Sequence, residues 1–157
     1  MRTLLFATFV AVAATPALAQ LPNPYGMSID VADAKKIAAL SVAEANKNNW
    51  KMAVAIVDIS GDLVYFEKID GTQAASIQIA QDKARSAARF KRPTKALQDA
   101  LAAGGAGLRM LALEGAVPVE GGLPIVMGGK IVGAIGASGG TSEQDGQTAK
   151  AGADSVK

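Results

Sequence analysis

Lys83, Glu120 and Asp145 are the side chains whose type and setting could move a proton or hold an anion, and no histidine or cysteine accompanies them anywhere in the chain. Without histidine the commonest general base and the commonest haem and transition-metal ligand are missing. Without cysteine there are no thiol nucleophiles and no disulfides, so no metal site is expected. Chemistry therefore falls to Lys, Arg, Asp, Glu, Ser, Thr, Tyr and backbone groups. Lys83 lies mid-helix with Ser76, Ile79, Ser86 and Ala87 around it. From there it either reaches into a pocket, binding a carboxylate or acting as a base, or snorkels to solvent beside Asp82 and Arg85. Glu120 precedes Gly121-Gly122; a carboxylate beside a flexible turn can face a ligand or stand exposed on a loop. Ser138-Gly139-Gly140 precedes a helix, so its N–H groups could cradle an oxyanion or carboxylate, while glycines ending a strand also mark close backbone approach. The spacing Gly133-x-x-Gly136-x-x-Gly139 is neither a dinucleotide fingerprint nor a phosphate loop, lacking Gly-Lys-Ser/Thr and a strand–helix–strand unit.

The elements that must position these groups follow from periodicity. Ser28 or Asp30 can cap a first helix that places Val31, Ala34, Ile37, Ala38 and Ala45 on one face. Residues 52–57 form an apolar run that fits a strand covered on both sides; Ser60-Gly61-Asp62 turns it back through Leu63-Val64-Tyr65-Phe66. Asp58 and Asp62 read as turn residues. The next helix carries an alanine stripe (Ala80, Ala84, Ala87, Ala88) suited to close approach to a sheet. Pro93 separates it from a shorter helix that stops at Gly104-Gly105, and residues 107–119 have no clear period. Gly128-Gly129 predicts a two-residue hairpin turn between residues 123–127 and 130–137. Ser142-x-x-Asp145 fits a capping box for a final helix. Strands joined only by hairpins imply a largely antiparallel sheet in an α/β (α+β) domain.

The N-terminus has its own pattern. Met1-Arg2, an apolar run over residues 4–14, and Ala17-Leu18-Ala19 follow the order of a cleaved signal peptide, with Gln20 as the new N-terminus. The run is shorter than the roughly 20 apolar residues that span a bilayer. Residues 1–19 are therefore expected to be removed, residues 20–27 to form an extended arm rich in Pro and Gly, and residues 28–157 to form the domain. Location is expected to be periplasmic or secreted, with no membrane association after cleavage. Aromatics make up only 4% of the chain, so its core must be aliphatic. No basic stretch with interleaved aromatics provides a nucleic-acid footprint.

Val54-Ala55-Ile56-Val57-Asp58 with Gly61 and Leu63, Asp70-Gly71, Lys83-Ala84, Ala87-Ala88-Arg89-Phe90, Gly121-Gly122-x-Pro124-Ile125, the run from Gly133 to Gly140, and Asp145 together resemble the GlcG/HbpS family. That family also includes the C-terminal domain of PduO-type proteins. The resemblance implies a profilin-like fold with a five-stranded antiparallel sheet and helices on both faces. It also implies a homo-oligomer, tetramer or octamer, with haem or a related tetrapyrrole among the family's ligands. With no histidine, an axial ligand would have to be Tyr65, Tyr25, a Met or a Lys, or be absent. Two functions follow. One is an exported binding protein whose small-molecule ligand touches Lys83, Gly121, Gly122, Ser138, Gly139, Gly140 and Tyr65. The other is an enzyme acting on a small carboxylated or hydroxylated metabolite through Lys83, Glu120 and Asp145.

Overall fold

The computed structural model describes residues 22–156; the expected signal peptide, residues 1–19, lies outside them. The first helix, α1 (Val31–Lys47), begins where the Asp30 carboxylate accepts the Asp33 N–H at 2.8 Å. It buries Ala34, Ile37, Ala38, Ser41 and Ala45 at the spacing of one helical face. β1 (Ala53–Val57) is buried throughout and turns into β2 (Leu63–Lys68). Asp58 holds that turn by accepting the N–H groups of Ser60 and Asp62 at 2.8 and 2.9 Å. Two helices follow, α2 (Ser76–Phe90) and α3 (Thr94–Ala102), and then a 3₁₀ segment, Gly105–Ala112. β3 (Gly122–Met127) and β4 (Lys130–Ser138) are joined at Gly128-Gly129, whose φ angles of +55° and +74° are what this tight hairpin turn requires. α4 (Ser142–Ala153) and a short 3₁₀ turn close the described chain.

The strand order is β2-β1-β4-β3, antiparallel throughout, so the two hairpins join through the central pair β1–β4. α1 and α4 lie side by side on one face and α2 covers the other. On the first face Ile37, Val54, Ile56, Ile125 and Ile135 pack together; on the second, Ala53, Ala55 and Ala134 meet Ala80, Ala84 and Ala87 of α2. A Cβ added at Gly136 would overlap Ala80 O and Ala84 N, so the backbone of α2 rests directly on β4.

The sheet of the described residues has four strands, not the expected five. β1 pairs with β4 only as far as Val57↔Ala134, and the arm continues along the uncovered edge of β4. There the Ile131 N–H donates to Pro24 O, Gly26 N–H to Ile131 O and Ile29 N–H to Val132 O, at 2.7–2.8 Å. Pro22 and Pro24 have no N–H to give, so the arm makes one isolated parallel bridge, Tyr25↔Ile131, rather than a ladder. Residues 107–119, the other stretch without a clear period, fold as 3₁₀ helix and turns.

The final cap is displaced by one residue from the expected box. Thr141 Oγ1 accepts the Gln144 N–H and Gln144 Oε1 accepts the Thr141 N–H. Asp145 is thereby freed from capping.

Candidate functional site

Lys83 projects from α2 toward the start of β3 and is 1% exposed, so the buried alternative holds and the snorkelling one does not. Its Nζ donates to Asp145 Oδ2 at 2.6 Å and to Ala137 O at 3.3 Å. Asp145 sits in the first turn of α4, so the pair ties the helix on one face of the sheet to a helix on the other. The second carboxylate oxygen accepts the Gly140 N–H at 3.0 Å. The backbone cradle read from Ser138-Gly139-Gly140 therefore exists, but the chain's own carboxylate occupies it. Burial pushes the Asp145 carboxyl above its ordinary range, against the lowering pull of Lys83 and the glycine N–H groups.

Gly121 closes the junction. Its φ is +126°, and a Cβ there would lie 2.9 Å from Lys83 Nζ, 2.9 Å from Asp145 Cβ and 2.7 Å from Ala137 O. Gly122 packs against the Lys83 carbonyl, and its N–H donates to Thr94 Oγ1 at 2.9 Å. Glu120 is half-buried, with its carboxylate over Gly146 and its N–H on Gln98 Oε1 at 2.8 Å. Burial raises its carboxyl, opposed by the charge of Lys95. Ser138, at the end of β4, donates from Oγ to Ser76 Oγ at 3.1 Å.

Lys83, Glu120, Gly121, Gly122, Gly139, Gly140 and Asp145 thus converge at one end of the β3–β4 hairpin, with Ser138 completing β4 beside them. Tyr65 does not join them: it lies on β2, at the opposite edge of the sheet. Helical spacing had set Ser76 beside Lys83, but sequence reasoning missed Thr94 and Gln98. The only signal for Thr94 was its place in the first helical turn after Pro93, and nothing local marked Gln98.

No group of three or more Asp and Glu among the described residues could hold a metal ion. Both tyrosine hydroxyls carry their protons into hydrogen bonds within the chain. The Tyr65 hydroxyl donates to Glu67 Oε2 at 3.0 Å, a bond that raises its pKa. The Tyr25 hydroxyl donates to Ala88 O at 2.8 Å and is raised by burial. A phenolate ligand needs that proton gone.

The family model described as "Haem degrading protein HbpS-like" matches residues 29–154, nearly all of the domain and every residue of the junction. The chain belongs to the HbpS-like family. Among its HbpS-like relatives, protein GlcG of Escherichia coli K12 is 38% identical over 105 residues, which cover 67% of this chain and 77% of GlcG. A crystal structure of a Streptomyces reticuli HbpS variant superposes with a TM-score of 0.76 at 28% identity, covering 96% of this chain and 99% of that one. A crystal structure of a PduOC–haem complex gives a TM-score of 0.74 at 24% identity, covering 83% and 96%; at that identity it speaks for the fold alone.

Proposed function

We propose that this HbpS-like protein is an exported, oligomeric binding protein whose ligand is haem or a related tetrapyrrole, held without a histidine or tyrosine on the metal. The family match over residues 29–154 carries this reading, and the haem complex of a protein with the same fold is consistent with it. Beside β3 an apolar groove of about 270 Å³ is lined by Pro93, Leu123, Pro124, Val126 and Ala153, with the Lys150–Asp154 ion pair at its rim. That is below the roughly 300–1,000 Å³ of pockets that enclose a drug-sized ligand. One subunit would therefore cover a macrocycle on one side, by apolar contact. A haem titration of wild type and Tyr65→Phe tests the proposal: a saturable Soret shift, identical in both proteins, is expected. A shift lost in Tyr65→Phe would restore the tyrosine as ligand, and no saturable shift in either would reject haem.

Export is read from the expected cleavage after Ala19; N-terminal sequencing of the secreted or periplasmic protein should begin at Gln20.

One observation favours an enzyme instead: Lys83, Asp145 and Glu120, three titratable groups of which two carboxyls are raised by burial, meet beside Gly121. In that reading Glu120 is the group a substrate reaches first, and a substrate carboxylate would displace Asp145 from Gly140 and Lys83. Native mass spectrometry of the purified protein separates the two, since a retained tetrapyrrole and a retained small carboxylate differ in mass by several hundred daltons.

A further inference from the structure

The arm before α1 is fastened at two places. Along β4, past the end of β1, the Ile131 N–H donates to Pro24 O and the Gly26 N–H to Ile131 O, both at 2.8 Å. On α2, the Tyr25 hydroxyl donates to Ala88 O at 2.8 Å, and the Tyr25 ring lies under Lys91, whose Nζ is 4.0 Å from its centroid. Lys91 takes the left-handed conformation that ends α2, at φ +54°, and its own N–H also goes to Ala88 O. Tyr25 is thus a clasp: its side chain holds the end of α2 while its backbone neighbours hold β4. The arm buries little else. Pro22, Pro24 and Ser28 are exposed and Met27 is 87% exposed, so the arm can detach while the domain beneath it stays folded.

The clasp also stands close to the expected cleavage bond. Four residues, 20–23, separate Ala19 from Pro24, the first residue bonded to β4. The five steps between those two Cα atoms reach at most about 18 Å when fully extended. A peptidase cutting after Ala19 holds the chain extended on both sides of the bond within its own cleft. Chain that is already bonded to a folded domain resists such capture.

We propose that the arm is a maturation latch, which stays off β4 and α2 until the Ala19–Gln20 amide is hydrolysed and closes on them afterwards. The hydrolysis takes up one water and leaves a carboxylate on Ala19 and an amine on Gln20. The inference rests on the export reading and adds an order of events to it. The test is cleavage of the full chain by purified signal peptidase in detergent micelles, with the chain either folded beforehand or freshly diluted from urea. Folded wild type should be cut about tenfold more slowly than the freshly diluted chain, and folded Tyr25→Ala should recover most of that rate. In the mature protein Tyr25→Phe, which keeps the ring, should raise hydrogen exchange at the Ile131 N–H about fivefold, the loss of one hydrogen bond, and leave the β1 amides unchanged. That reading stands even if Tyr25→Ala fails to fold. Equal cleavage of folded and diluted wild type overturns the latch and leaves export standing. Unchanged exchange at Ile131 in Tyr25→Phe, or folded Tyr25→Ala cut as slowly as wild type, overturns the clasp. No cut after Ala19 in any sample overturns the export reading and the latch with it.

Discussion

Beneath α1 and α4 the sheet is packed by Ile37, Val54, Ile56, Ile125 and Ile135, whereas beneath α2 it is packed by Ala53, Ala55, Ala80, Ala84 and Ala134. Branched side chains hold the first pair of helices away from the strands and draw stability from buried apolar area. Alanines let α2 settle onto β4 at Gly136, so that face draws on close backbone contact. The two faces also treat polar groups differently. Under α2 the buried Thr72, Ser76, Lys83, Ser86 and Thr94 each have a hydrogen-bond partner. In the α1/α4 layer Ser41 Oγ and Thr148 Oγ1 have none. The polar seam is therefore a built feature of one face, and the two hydroxyls are a tolerated cost on the other.

Cutting the seam should have the largest effect. Lys83→Met leaves the Asp145 carboxylate buried beside Gly121 without its cation, and Asp145→Asn strands the ammonium. Either should cost about 3–5 kcal/mol in urea unfolding. Lys83→Met/Asp145→Leu should recover most of that loss, because an apolar pair of similar volume avoids both desolvation penalties. A double variant as unstable as the singles would show that the charges themselves hold the two layers together.

Gly136→Ala tests the close approach of α2. The added methyl meets backbone atoms of Ala80 and Ala84 that no rotamer change can move, so about 1–3 kcal/mol should be lost. Ile56→Val on the opposite face should cost only about 0.5–1.5 kcal/mol. Equal losses would erase the distinction between the faces.

The pH dependence sharpens it further. The Asp145 and Glu120 carboxyls are raised in the folded chain, so the folded state holds their protons more tightly than the unfolded state does. Their favourable contribution is full below the ordinary carboxylate range and is lost as pH rises through the raised values. Across that window Glu120→Gln should lose less stability than wild type. A parallel pair of stability curves would remove Glu120 from the account.

Much of this was legible locally. Gly128-Gly129 specified its hairpin because two adjacent residues had to take positive φ, and the start of α1 was narrowed to Ser28 or Asp30, of which Asp30 caps because its partner, Asp33, is three residues away. Lys83 was not decided by spacing, since the same helical positions serve a buried lysine or a solvated one. Its partner lies 62 residues further on, in another layer. Asp145 read as a cap because a capping box one residue out of register looks the same in sequence until Thr141 closes on Gln144.

The smallest effect expected lies on the apolar face. Ser41→Ala removes an unpartnered hydroxyl packed against Gly152 and should stabilise the protein by up to about 1 kcal/mol. A loss instead would reveal a partner for that hydroxyl.

The sequence alone determined the order of helices and hairpins, the antiparallel pairing, the aliphatic core and the exclusion of histidine and cysteine chemistry, because these depend on residue type and near-neighbour spacing. Only the tertiary structure decided that the sheet has four strands, that Lys83 is buried, and that the glycine cradle is filled by Asp145 while Tyr65 stands at the far edge. Those outcomes depend on groups that come together only when α2 and α4 close on opposite faces of the sheet, where desolvation, rather than local propensity, selects each partner.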